Sequence, residues 1–254
     1  MDIVVIEVKD LTIGTANRIL SKDLNFSIRK GEVLMILGGS GCGKSTLMRH
    51  LVGLDMPVQG SIYIGDIDIV TANHHDRVRA MAKIGVMFQS GAMLGSMTLK
   101  QNLCLPLTIH HRLPQTLMEY MALEKLGLVG LKAYGDSYPA ELSGGMLKRA
   151  AIARALMLEP GILFLDEPSA GLDPVTSREL DHLIVTLSQA LDFTFVIVSH
   201  ELQSIFAIAD RVIMLDKTAQ TIIAEGSPQT LLDISTDQRV QKFLGSRSEH
   251  ENIT

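Results

Sequence analysis

Val33-Leu34-Met35-Ile36-Leu37-Gly38-Gly39-Ser40-Gly41-Cys42-Gly43-Lys44-Ser45-Thr46 decides the fold of this chain. The apolar run over residues 33–37 reads as a strand. From Ser45 onward, Leu47, Met48, Leu51 and Val52 recur at helical spacing. Between them lies G-x-x-x-x-G-K-S, and strand, glycine loop and helix together form a cradle for a nucleotide's phosphates. Glycines let the backbone turn so that several N–H groups point inward. The helix N-terminus adds partial positive charge. Lys44 brings a full charge to the β- and γ-phosphates, and the Ser45 hydroxyl suits Mg²⁺. A glycine turn that binds nothing would need neither the Lys-Ser pair nor these flanks.

The chain around this motif has 254 residues, enough for one large domain or two small ones. Hydrophobic residues make up 46%, a globular level. The net charge is −5 with no basic block, which argues against nucleic acid as a partner. No apolar run reaches the length of a membrane span. The first residues alternate apolar and charged types as a strand does, unlike a signal peptide. Two distant cysteines suit a reducing cytoplasm and no disulfide framework. His74-His75 and His110-His111 lack zinc-like spacing and are expected in solvated loops.

Strands are expected over residues 3–8, 24–28, 61–64, 84–88, 162–165, 195–198 and 212–215. Residues 90–135 change character: Leu and Met recur at helical spacing, broken by Pro106, Pro114 and Gly127. Residues 146–158 are apolar on nearly every side, as in a buried helix, and Leu180, Leu183, Ile184, Leu187 and Leu191 draw an amphipathic stripe. Strands alternating with helices imply an α/β sheet with parallel strands at its centre.

Ile162-Leu163-Phe164-Leu165-Asp166-Glu167 is an apolar strand ending in two carboxylates. In an open parallel sheet such a strand aims its C-terminal end at the phosphate loop. Asp166 is then placed for the Mg²⁺ shell, and Glu167 to polarise the attacking water as a general base. Without the phosphate loop, an acidic turn before Pro168 would be an equal reading.

Leu142-Ser143-Gly144-Gly145-Met146 precedes this strand, and Ser169-Ala170-Gly171-Leu172-Asp173 follows it. Gln89 closes the strand at 84–88, and His200 follows the strand at 195–198. The ordered set resembles the nucleotide-binding domain of an ABC ATPase, over nearly the whole chain. The resemblance implies a RecA-like P-loop core, an antiparallel β subdomain and a helical insertion at about 90–158. One domain is expected over 1–244, with a polar tail at 245–254.

It also implies roles. Gly38 to Thr46 hold ATP, with Lys44 also catalytic. Gln89 resembles the glutamine that touches Mg²⁺ and the attacking water. Ser143, Gly144 and Gly145 resemble the signature loop, which contacts ATP held by a second copy of the domain. Asp173 resembles the residue that communicates across that dimer, and His200 the switch histidine at the γ-phosphate. The cofactors implied are ATP and Mg²⁺, with Ser45, Gln89 and Asp166 at the metal.

Two positions depart from the family pattern. The signature usually ends in Gln, and Met146 stands there; contacts of that side chain are lost while hydrolysis is expected to persist. The family usually stacks adenine on an aromatic residue, and Thr15 stands about where it would be. Weaker discrimination between ATP and GTP is the expectation. Cys42, at a helix N-terminus, is read either as an alkylatable thiol or as an inert small residue. Cys104 is expected simply to pack.

Residues 85–92, the Met-ended signature and residues 237–244 are similar to the ATPases of Mla- and Mce-type lipid transporters. That subtype implies a homodimer under integral membrane permease subunits, at the cytoplasmic face of the inner membrane. It further implies a lipid-binding protein on the far side, with phospholipid or another lipid as cargo. An ATPase of a polar-solute importer, or a soluble assembly ATPase, shares every catalytic residue. Met87, Met93, Leu94 and Met97 are read two ways, as an adaptable groove for a permease helix or as core filling.

Overall fold

The computed structural model describes residues 3–15, 17–110 and 112–245. Every residue of β3 (Val33–Gly38) is buried, because the strand is covered on both faces. Val33, Met35 and Leu37 enter one hydrophobic core, Leu34 and Ile36 the other. The period-2 alternation of a strand sends neighbouring side chains to opposite faces. β7 (Ile162–Asp166) and β8 (Thr194–Val198) divide in the same way.

The large sheet has the order β10-β9-β3-β8-β7-β6, with β6 at Ile84–Met87, β9 at Arg211–Asp216 and β10 at Thr221–Gly226. β9, β3, β8, β7 and β6 run parallel, and β10 pairs antiparallel on the edge. A second sheet, antiparallel, has the order β2-β1-β4-β5, from β1 (Val4–Thr15), β2 (Arg18–Arg29), β4 (Gln59–Ile64) and β5 (Ile67–Asp68). Its inner face packs with α1 (Lys44–Leu51) into the second core. Between β6 and β7 lie α3 (Leu99–His110), α4 (Gln115–Leu128) and α5 (Gly144–Ala155), packed into the first core. α2 (His74–Met81) precedes β6. α6 (Pro174–Leu191), α7 (Leu202–Ile208), α8 (Pro228–Ile234) and α9 (Gln238–Gly245) complete the order.

Several elements differ from the sequence expectation for identifiable reasons. The strand expected over 3–8 continues to Thr15, because a register shift after Val8 carries the pairing past Asp10, whose φ is 47°. His74 and His75 are not loop residues but the first turn of α2, started by Asn73, whose side chain accepts from the Asp76 N–H. His110 ends α3 rather than lying in a loop, while His111 falls outside the described residues. α5 begins at Gly144, not Met146, since Ser143 caps it, and ends at Ala155, short of Pro160. α6 begins at Pro174, six residues before its apolar stripe, because Asp173 caps it and proline suits the first turn. β5, β10, α7, α8 and α9 were not foreseen; each is short or weakly patterned. The tail expected at 245–254 lies outside the described residues apart from Gly245.

Candidate functional site

β8 lies between β3 and β7, so the loops after these three strands open side by side at one sheet edge. The strands end level, with Ile36 and Asp166 both registered on Val198. That level rim brings the phosphate loop, the Asp166–Glu167 pair and His200 together.

The loop's backbone is what the glycine spacing demands. Gly38, Gly41 and Gly43 have φ of 142°, 74° and 103°. A Cβ on Gly38 would lie 2.4 Å from the Leu215 carbonyl oxygen. A Cβ on Gly39 or Gly41 would meet nothing within 4 Å, so the concave side of the loop is open. Gly39, Ser40 and Gly41 are exposed, and Gly43 is the N-cap of α1 with no side chain, its carbonyl accepting from the Leu47 N–H at 2.7 Å. Lys44 lies across the loop, its ammonium donating to the carbonyls of Gly38 at 2.7 Å and Gly39 at 3.2 Å. Cys42 turns the other way: it is 1% exposed and packs in the core, which favours the inert reading over the alkylatable one. Cys104 is likewise buried in the core, where burial pushes its thiol upward.

Ser45 Oγ donates to Asp166 Oδ1 at 3.3 Å. Burial raises the Asp166 carboxyl above the ordinary aspartate value, against the lowering by Ser45, and nearby Glu167 adds to the rise. A carboxylate desolvated in this way gains from a cation beside it. Serine hydroxyl, carboxylate and amide oxygens form a hard donor set of the kind Mg²⁺ takes. Among the described residues no cluster of three or more His, Cys, Asp or Glu forms a dedicated cage. This suits an ion held by one carboxylate plus substrate phosphates.

Glu167 occupies a left-handed backbone conformation, φ 48°. Its N–H donates to the Val198 carbonyl at 2.9 Å, tying it to β8. His200 Nδ1 sits 2.9 Å from the Glu167 carboxylate. The pair leaves Glu167 mostly enclosed and His200 exposed. Gln89 is exposed on the loop after β6, and its carbonyl accepts from Lys148 of α5.

Ser143, Gly144, Gly145 and Asp173 form a separate cluster. Ser143 caps α5 by accepting from the Met146 N–H at 3.3 Å. Asp173 caps α6, accepting from the N–H groups of Val175 and Thr176 and from the Thr176 hydroxyl at 2.6 Å. The last of these, foremost, holds its carboxyl below the usual aspartate value. Gly145 packs on Thr176. Among the described residues no hydrogen bond or ion pair links this cluster to the phosphate loop.

Beside Thr46 opens a cavity of about 550 Å³, lined by Thr15, Arg18, Leu20, Thr46, His50 and Met56 among others. No Phe, Tyr or Trp is among the described residues that line it; aliphatic side chains, the Arg18 guanidinium and the His50 imidazole make up much of its wall. His50 Nδ1 donates to the Thr46 carbonyl (2.7 Å), and its buried Nε2 has no hydrogen-bond partner among the described residues. The methionines divide. Met87 is fully buried in the core, which removes it from any groove. Met93 packs partly on that core, Met97 is half-buried and Leu94 is exposed.

The fold and rim define a P-loop ATPase of the cassette type. The chain belongs to the ABC transporter family, whose pattern matches residues 21–170. It is 38% identical to the intermembrane phospholipid transport ATP-binding protein MlaF of Haemophilus influenzae, over 96% of this chain and 91% of that one. It is 36% identical to MlaF of Escherichia coli K12, over 94% and 88%. It is also 38% identical to the probable ribonucleotide transport ATP-binding protein mkl of Mycobacterium leprae, over 96% and 70%. Among solved structures, the dimeric cassette MJ0796 in a post-hydrolysis state with ADP and Pi superposes with a TM-score of 0.77 at 30% identity, over 87% and 98%. cbiO1 of Clostridium perfringens, part of a cbiONQ transporter, gives 0.82 at 28%, over 99% and 98%. The chain is an ATP-binding and ATP-hydrolysing transporter subunit.

Lys148, Arg154 and Thr176 were not singled out from sequence. Three cations inside an otherwise apolar helix, Lys148, Arg149 and Arg154, were the available signal for the first two; Thr176 carried none.

Proposed function

We propose that this chain powers the movement of phospholipid or a related lipid between bacterial membranes, as a homodimer beneath a permease. The observation that carries the dimer is the division of the site. One rim offers Gly38 to Thr46, Asp166, Glu167 and His200, while the Ser143 and Asp173 helix tips make no hydrogen bond or ion pair with the phosphate loop among the described residues. Helix N-termini hold anions well, and a tip unused by its own phosphate loop suits a nucleotide on a second copy. Residues 1–244 act as one ATPase domain, with the helices of about 90–158 as its inserted subdomain. No helix among the described residues is long and apolar enough to cross a membrane. In this reading the protein works at the cytoplasmic face of the inner membrane, through permease subunits and with a lipid-binding protein on the far side.

Lys44 leaves the Gly38 and Gly39 carbonyls to meet the β- and γ-phosphates. Ser45, Gln89 and Asp166 would hold Mg²⁺, which when bound neutralises phosphate charge. Glu167 accepts a proton from the attacking water, and His200 fixes the Glu167 carboxylate through Nδ1. Positioning and electrostatic stabilisation carry most of the rate, as in other phosphoryl transfers.

Glu167→Gln keeps the shape and loses the base. Turnover should fall about 10²-fold or more, with ATP still bound and the variant trapped as a dimer by light scattering. Normal turnover, or a persistent monomer with ATP inside the native complex, overturns the mechanism. Cargo is read separately, by purifying the tagged chain with its membrane partners and identifying the bound molecule by mass spectrometry. Phospholipid supports the lipid reading, which rests on similarity to the MlaF proteins. A nucleotide or another polar solute in the permease replaces it.

A further inference from the structure

α5 does more than present Ser143. One turn beyond that cap, the half-buried Lys148 turns its ammonium into the join between two loops of the site. It donates to the carbonyl of Gln89 and, at 3.3 Å, to the carbonyl of Glu167. Further along the same helix, Arg154 donates to the carbonyls of Gly91 at 2.8 Å and Ala92 at 2.7 Å. The irregular backbone after β6 is therefore gripped from α5 at three carbonyls.

The Glu167 carbonyl is the informative one. A residue with a Cβ at φ 48° occupies sparsely populated backbone space and stays there only when its surroundings over-determine it. Glu167 has four such restraints. Its N–H is bound to Val198, its carbonyl accepts from Ala170 N–H at 3.2 Å and from Lys148, and its carboxylate meets His200. Lys148 alone among these partners belongs to the inserted helices. It is also the one charged donor to that peptide, and charge-assisted bonds are the stronger kind.

We propose that Lys148 is a positioning residue for ATP hydrolysis. Its ammonium fixes the Glu167 peptide against the Gln89 loop, and so sets where the Glu167 carboxylate stands. Because Lys148 rides on the helix that Ser143 opens, seating of that helix tip on a partner's nucleotide is tied to the placement of this chain's own Glu167. The inference rests on the reading of Glu167 as general base and deepens it.

The test uses the purified full chain with MgATP, and the variants Lys148→Met, Lys148→Arg, Glu167→Gln and the double Glu167→Gln/Lys148→Met. Lys148→Met should lower kcat by about tenfold or more, with KM changed by less than about twofold, the pattern of a transition-state contact. Lys148→Arg should restore most of the rate. In the Glu167→Gln background Lys148→Met should add less than about twofold, because the group it positions is already lost. Near-normal turnover of Lys148→Met overturns the proposal. So does an equal loss in both backgrounds, which would mark a role independent of Glu167. Should Lys148→Met fail to fold, Lys148→Gln, which keeps a donor without the charge, carries the same comparison. Normal turnover of Glu167→Gln itself would remove the general-base reading and this inference with it; a slow Glu167→Gln beside a normal Lys148→Met removes the inference alone.

Discussion

Gly145 is a residue where packing leaves little freedom. A Cβ there would stand 2.3 Å from the Thr176 methyl, and Thr176 is fixed by its hydroxyl bond to Asp173. Gly145→Ala should therefore cost about 1–3 kcal/mol, the usual scale of overpacking, in urea unfolding. Thr176→Ser removes the methyl and keeps the hydroxyl. It should be nearly neutral alone and should return most of the loss when combined with Gly145→Ala. A full loss in the combined variant would mean the clash lies elsewhere. This glycine was legible from sequence as part of Ser143-Gly144-Gly145, read for anion binding. Its packing partner was not, because Thr176 lies more than thirty positions away with no local pattern linking the two. Cys42 teaches the same lesson: its position in the loop was plain, yet only the fold shows its side chain turned into the core.

At the scale of elements, α6 and α7 meet through Asp181, which is buried and accepts from the Ser204 hydroxyl at 2.7 Å. Burial raises its carboxyl above the ordinary value of 3.8, nearby Glu201 adds to the rise, and Ser204 opposes it. A carboxyl with a raised native pKa binds its proton more tightly folded than unfolded. Its stabilising contribution is complete below about pH 3.8 and is lost as pH rises through the native value. Asp181→Asn can still accept from Ser204 and carries no charge. Its melting temperature should gain on the wild type as pH rises from 3.8 toward neutrality, then hold a constant gap. A gap that shrinks over that range would contradict the assignment. Elements with strong periodicity or sharp punctuation, β3, β7 and β8 among them, were readable in advance. β10 and the helices after β8 were not, since a short edge strand and one- or two-turn helices owe their existence to the surface they cover rather than to their own pattern.

For the whole molecule, Arg211 ties the two sheets. From β9 it donates to the Ser27 carbonyl on β2 at 2.5 Å, pairs with Glu32 at 2.6 Å and also pairs with Glu225 on β10. Arg211 and Glu32 are almost wholly enclosed. Removing one partner of such a pair strands the other charge, so Arg211→Met should cost about 3–5 kcal/mol in chemical denaturation. Glu32→Gln in the same chain should recover part of it; an additive loss would show that Glu32 is not the group left unpaired.

The phosphate loop, the strand-end carboxylates and the order of the motifs followed from sequence alone. Each is a local pattern in which residue type and spacing dictate backbone shape and charge. What tertiary structure decided is which of these patterns face one another. Placing β8 between β3 and β7 sets His200 against Glu167. Folding α5 onto the sheet brings Lys148 to Gln89 and Glu167. Among the described residues Ser143 and Asp173 make no hydrogen bond or ion pair with their own phosphate loop. Such meetings depend on strand order and on which core each helix covers, terms that no short stretch of sequence contains.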